Sequence, residues 1–211
     1  KQKELWTGRL MGPDAVKEEM GIDEAYAISE IDEILPGLID GRDKLYSLMG
    51  KNVDFDSRVM GWVKVIRNRA RLGGHAPGEF LVLDHLLHEL RLFKSSKEVK
   101  LMEKAGKISA EGHKRAMTTC RPGIKEYELE AELLHAFTRN GSRAPAYSSI
   151  VAAGDNACIL HYTENNATVE DGDLVLIDAG CEYQHYASDI TRTFPANGKF
   201  NPQQKAIYDL V

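Results

Sequence analysis

The run Leu174-Val-Leu-Ile-Asp-Ala-Gly180, followed by Ser188-Asp-Ile-Thr-Arg-Thr-Phe194, decides how this chain is read. Asp171-Gly172 marks a turn just before it. Leu174 to Ala179 is apolar and rich in branched residues, interrupted by Asp178, which suits a buried strand. From Ser188 to Phe194 the pattern alternates, with Ile190, Arg192 and Phe194 on one face and Asp189, Thr191 and Thr193 on the other. The two segments fit a hairpin that closes at Gln184-His185. In that register Tyr183 faces Tyr186, Asp178 faces Thr191, and Asp189 is the diagonal neighbour of Asp178 on one face. Diagonal cross-strand neighbours lie about 7–8 Å apart. Two carboxylates at that spacing are able to share one or two metal ions, and ions in two-metal sites lie about 3.5–4 Å apart. A three-residue loop would instead send the acids to opposite faces. Two readings stay open: solvated acids at a sheet edge, or a pair of metal ligands. The cost of an unpaired carboxylate in a buried strand weighs toward the second.

Outward from this block, Ser95-Ser-Lys-Glu98 reads as a capping box that opens a helix with Val99, Met102, Ala105 and Ile108 at helical spacing. Cys120-Arg-Pro-Gly123 breaks the chain, and a second amphipathic helix runs from about Lys125 to Arg139, stopped at Asn140-Gly141. Helices followed by the strand block 147–194 predict an α+β half. Residues 1–75 alternate short pieces and suggest an α/β layer. Strands are expected at Ala25–Ile28 and Lys44–Leu48, a short helix at Glu30–Leu35 stopped by Pro36-Gly37, and a longer helix at Asp56–Arg71. Residues 73–78 read as a flexible connector. Asn201-Pro202 opens a last helix with an apolar stripe of Ala206, Ile207, Leu210 and Val211.

With 43% hydrophobic residues the chain is an ordinary globular sequence, and its net charge of −5 without a basic block argues against nucleic acid or an anionic membrane as partner. Its apolar runs are too short to span a membrane. Cys120, Cys158 and Cys181 form no CxxC and fit reduced thiols, buried as small hydrophobes, in a cytoplasmic protein. His85-Leu-Leu-His-Glu89 lacks HExxH spacing and reads as a helix or connector with surface histidines. His185 is a turn residue, and Cys181 has no basic neighbour that would make it a nucleophile.

The chain resembles the bacterial aminopeptidase P family, the Xaa-Pro aminopeptidases of the pita-bread metallopeptidases. The match rests on Cys158-Ile-Leu-His-Tyr-Thr-Glu-Asn165, on Asp171 to Tyr183, on Asp189-Ile-Thr-Arg-Thr-Phe-Pro195 and on Asn197-Gly-Lys-Phe200. Weaker similarity runs back through Glu89–Ser95 and Arg121-Pro-Gly123 to Trp6-Thr-Gly-Arg9. The resemblance implies the first half of a pita-bread catalytic domain at 91–211, preceded at 1–90 by the C-terminal part of an α/β N-terminal domain. It implies two divalent ions, typically manganese, with Asp178 binding one and Asp189 bridging both. The remaining His and two Glu ligands are expected beyond Val211, so the chain reads as an internal fragment that is inactive by itself.

By the same resemblance His161 lies close to the substrate carbonyl without binding metal, in the manner of an oxyanion-hole donor. Taken alone, it is a core histidine beside an apolar run. Tyr147 lines the substrate pocket by resemblance and is a core residue by itself. Trp6 matches a tryptophan that reaches a neighbouring subunit's active site, which implies a homo-oligomer, dimer or tetramer; ordinary packing is the alternative. Thr191, opposite Asp178, is placed to orient a carboxylate. The expected activity is release of the N-terminal residue from peptides with proline in second position. Two alternatives stand: a prolidase-like dipeptidase, and a metal-free peptide-binding module on the same fold.

Overall fold

The computed structural model describes residues 4–211, which divide after Phe93 into two compact units. In the first unit the elements are α1 (Glu4–Thr7), α2 (Pro13–Met20), α3 (Ile31–Ile39), β1 (Lys44–Ser47), α4 (Val53–Asn68), β2 (Glu79–Val82) and α5 (Asp84–Leu92). β1 and β2 pair in parallel with Lys44 opposite Glu79. A parallel pair needs a long crossover, and α4 supplies it. Asn52 caps α4 by accepting a 3.0 Å hydrogen bond from the Phe55 amide. Ile39, Val59, Trp62 and Ile66 form the core of this unit.

Four expectations change here. Residues 25–27 are not a strand and lead into a 3-10 turn, Ile28–Glu30. The next helix does not stop at Pro36: α3 runs to Ile39 with the proline inside it. The missing proline N–H forfeits one bond within the helix, whereas continuing buries Pro36 and Ile39. β2 has no counterpart in the sequence reading, because four residues flanked by glycine and helix carry little periodicity. The glycine-rich connector before it is tied down, with the His75 amide donating to Asp40 Oδ1 at 2.7 Å.

The second unit holds α6 (Ser96–Thr119), α7 (Glu126–Arg139), β3 (Ala144–Pro145), β4 (Ile150–Ala153), β5 (Leu174–Ala179), β6 (Cys181–Tyr183), β7 (Tyr186–Ala187), β8 (Ile190–Pro195) and α8 (Pro202–Tyr208). It is an α+β arrangement of two three-stranded antiparallel sheets, ordered β4-β5-β8 and β3-β6-β7. Ser95 and Glu98 form the expected capping box on α6, at 2.6 and 3.3 Å.

The hairpin has the expected register: Tyr183 faces Tyr186 and Asp178 faces Thr191. Its two-residue loop places Gln184 and His185 at φ 47° and 70°. Two left-handed residues match the twist of the flanking strands. β5 differs from the expected fully buried strand. Val175, Ile177 and Ala179 are buried, while Leu174, Leu176 and Asp178 are only half-buried. The buried face packs with Val151 and Ala153 against Ala105, Ile108, Leu129, Leu133 and Phe137 of α6 and α7. The other face carries Asp178, and beside it a small cluster of Ile150, Ala152, Leu176 and Tyr162. α8 ends at Tyr208, and the expected stripe is exposed, with Ile207 inside the helix at 65% and Leu210 beyond it at 82%.

Candidate metal centre

The hairpin is bent at Gly180, between β5 and β6. A Cβ on Gly180 would lie 1.7 Å from the Ser188 carbonyl oxygen, so the two backbones meet here closer than any side chain allows. The ladder breaks at the same level. The Cys181 amide donates to Ser109 Oγ at 2.9 Å and to Ser188 Oγ at 3.1 Å. The two serine hydroxyls are 2.7 Å apart. Four residues further along α6, on the same face, His113 Nε2 donates to the Ala179 carbonyl at 3.0 Å. Burial pushes the His113 imidazole pKa down, against the pull of the Ala179 carbonyl, so it serves as a neutral donor. One helix face thus grips both sides of the bend. Ala179 directly follows Asp178, and Ser188 directly precedes Asp189.

That bend alters the expected setting of the second acid. Asp189 lies in the break before β8, exposed, while Asp178 sits half-buried inside β5. Both carboxylates converge on Tyr147, in the bend between β3 and β4. Its hydroxyl lies 2.6 Å from Asp178 Oδ1 and 3.0 Å from Asp189 Oδ1. Tyr147 therefore does more than line a pocket. Burial, reinforced by hydrogen bonds to Asp178 and Asp189, pushes the phenol well above its ordinary pKa of 10.0, so it stays protonated. A phenol has one proton and so satisfies one carboxylate at a time. Two converging anions around one neutral hydroxyl leave negative charge to be matched, and the donor atoms are hard oxygens. This set fits a hard divalent ion.

The other expected residues lie as follows. Thr191 is opposite Asp178, yet among the described residues no hydrogen bond joins them. The hydroxyl that meets the carboxylates is that of Tyr147 instead. His161 stands in an exposed turn and makes no hydrogen bond to Asp178 or Asp189 among the described residues. Trp6 lies in α1 of the first unit and is 87% exposed. Cys158 is exposed rather than buried, because it ends a surface 3-10 turn. His85 and His88 lie on α5 and join no cluster of three metal-ligating side chains among the described residues. The sequence reading missed Ser109 and His113. The signal was there: with Ala105 and Ile108 turned inward, positions 109 and 113 fall on the core stripe, and polar residues on a core stripe need a partner.

A sequence model described as metallopeptidase family M24 matches residues 100–211, and one described as the aminopeptidase P N-terminal domain matches residues 1–46. The chain belongs to metallopeptidase family M24. This M24 chain is 49% identical to the Xaa-Pro aminopeptidase of Escherichia coli over 208 residues, 99% of this chain and 47% of that protein. A solved Pseudomonas aeruginosa aminopeptidase, PepP, superposes with a TM-score of 0.94 at 60% identity, covering 100% of this chain and 48% of that one. A zinc-substituted Escherichia coli aminopeptidase P in complex with product superposes equally well, TM-score 0.94 at 48% identity, with the same coverage of 100% and 48%. The M24 chain thus spans about half the length of the curated relatives it matches. Its family points to divalent metal use, and no described helix is long and apolar enough to cross a membrane.

Proposed function

We propose that this chain carries one side of the active centre of a metal-dependent aminopeptidase, which releases the N-terminal residue from peptides with proline in second position. The observation that carries this reading is the convergence of Asp178 and Asp189 on one hydroxyl, within the segment matched to an M24 metallopeptidase. Residues 91–211 would be the first half of the catalytic domain and 1–90 the C-terminal part of the domain before it. Asp178 and Asp189 would hold two divalent ions, with manganese as the cognate metal, and Asp189 would be shared between them. Such ions supply a nucleophile from water near neutral pH and polarise a carbonyl.

The chain's own residues divide the remaining work. Tyr147 holds the two carboxylate planes toward each other, so that little reorganisation accompanies binding. Asp178 lies where a free substrate amine meets negative charge, which selects for a chain end. His161 donates a hydrogen bond to the carbonyl oxygen as it gains charge. Trp6 would border the peptide site of a neighbouring copy in a homo-oligomer. Three unpaired cysteines suit a reducing, cytoplasmic setting.

The test is Asp189→Ala in the complete protein. Expected is loss of bound divalent metal together with loss of Xaa-Pro cleavage. Retention of both would overturn the assignment. Gly-Pro-Ala cleaved well beside a poor Gly-Pro separates this activity from that of a dipeptidase.

A further inference from the structure

Glu126 is the most deeply buried carboxylate of the second unit, 0% exposed, and it is fully partnered. Its Oε1 accepts from the Ala153 amide at 2.8 Å and from Asn156 Nδ2 at 3.2 Å. Its Oε2 accepts from the Tyr162 hydroxyl at 2.7 Å and from the Ala167 amide at 2.9 Å. Asn156 Nδ2 also reaches the Tyr162 hydroxyl at 3.1 Å. The Glu126 amide donates in turn to the Ala167 carbonyl at 3.1 Å. A buried charge with four donors, at the first turn of α7, is a stable arrangement; one that loses a donor is not.

These partners are not scattered. Ala153 ends β4, Ala167 closes the segment that follows, and Asn156 and Tyr162 lie between. One carboxylate therefore ties down residues 154–167 at both ends and at two interior points. A second anchor braces the same segment: Asn165, 3% exposed and at φ 47°, accepts from the Val151 amide at 3.0 Å and donates to the Ser149 carbonyl at 2.9 Å. The tip is exposed, with Ile159 at 54%, Leu160 at 84%, and His161 beside them. His161 is covalently joined to Tyr162 and lies between the two side chains that bind Glu126. In the turn itself, the backbone bonds are Ile159 N to Asn156 O at 3.0 Å and Tyr162 N to Ile159 O at 3.3 Å.

We propose that Glu126 is the positioning residue for His161, fixing the imidazole at the edge of the metal centre through Asn156 and Tyr162. This rests on the reading of His161 as the donor to the scissile carbonyl oxygen. Glu126 touches neither substrate nor metal in this scheme. It sets where the loop's tip stands, because the backbone bonds of the turn, Ile159 N to Asn156 O and Tyr162 N to Ile159 O, stay within the segment that Glu126 holds. Misplacing a reacting group by about 1 Å is enough to cost about 100-fold in rate.

The test uses the complete protein and a tripeptide with proline in second position. Glu126→Gln keeps the shape but turns one acceptor into a donor that faces other donors. Tyr162→Phe removes a single hydroxyl and guards against a Glu126→Gln variant that does not fold. For each, hydrogen exchange of residues 154–167 is read beside kcat and KM. Expected are exchange about tenfold faster in this segment with α6 unchanged, and kcat down about 10- to 100-fold with KM held. The double variant Glu126→Gln/His161→Ala is expected to be no slower than His161→Ala. Unchanged exchange in 154–167, or losses that multiply in the double variant, would overturn the proposal. If His161→Ala keeps full kcat, the proposal falls with the role of His161, and the exchange data still show whether Glu126 anchors the loop.

Discussion

Ser109 and Ser188 share a 2.7 Å hydrogen bond between α6 and the residue just before Asp189. The bond holds one side of a bend whose other side is held by His113. Replacing Ser109 by Ala leaves the Cys181 amide a partner in Ser188 Oγ, so no buried donor is orphaned. The expected cost to stability is about 1 kcal/mol, the net worth of a typical hydrogen bond. Under the proposed assignment of Asp178 and Asp189 as metal ligands, the larger expected effect is on the site: divalent affinity of the complete protein falls about tenfold, the scale for a group that supports a ligand from behind. Metal titration and urea denaturation of Ser109→Ala check the two effects separately.

Gly180→Ala is a harsher test of the same bend. The added methyl meets a carbonyl oxygen of the backbone, which has no rotamer in which to yield. The expected loss is about 3 kcal/mol or more, at or above the upper end for overpacking. An unfolding free energy from urea within about 0.5 kcal/mol of wild type would show that the strands slide apart freely.

Acid should loosen the start of α6. The Glu98 carboxyl is held down at about 2, first by the Tyr186 hydroxyl and then by the Ser95 amide. A folded pKa below the ordinary 4.5 gives stability that is present above 4.5 and lost as pH falls from there toward 2. Glu98→Gln should therefore be less stable than wild type at pH 7, with the difference shrinking below pH 4.5. Urea midpoints of both proteins at pH 7, 5 and 3 check this.

Thiol labelling should separate the cysteines. Cys158 is exposed, Cys120 is half-buried with its thiol pushed up to about 11 by burial, and Cys181 is buried against the Ala105 carbonyl. At pH 8 only about one Cys120 thiol in a thousand is ionised, so a maleimide is expected to take Cys158 first by at least about tenfold. Cys181 should react only on unfolding. Mass mapping of the labelled peptides over time gives the order.

The hairpin register was legible because alternation in 188–194 and a two-residue loop leave one pairing that keeps the apolar face together. The bend at Gly180 was not. It depends on Ser109 and His113, side chains brought from a distant helix, and nothing in the local sequence announces a tertiary hydrogen bond. Tyr147 was visible as a residue of interest but not as the meeting point of both acids, since its place in a bend has no periodicity to read. Pro36 misled for the opposite reason: a strong local rule was overridden by burial of the helix it interrupts. Glu126 looked like any acid in a first helical turn, because its partners lie in a segment that folds back only in three dimensions.

The arrangement around Glu126 has a consequence for how this site can vary. A loop fixed at its base by one carboxylate behaves as a cassette. Exposed residues beside His161 can be exchanged while the frame that holds the imidazole stays in place. Ile159 and Leu160 are then open to change without disturbing Glu126, Asn165, Asp178 or Asp189. Side chains around His161 can in this way differ between relatives while Glu126 and Asn165 keep one backbone path.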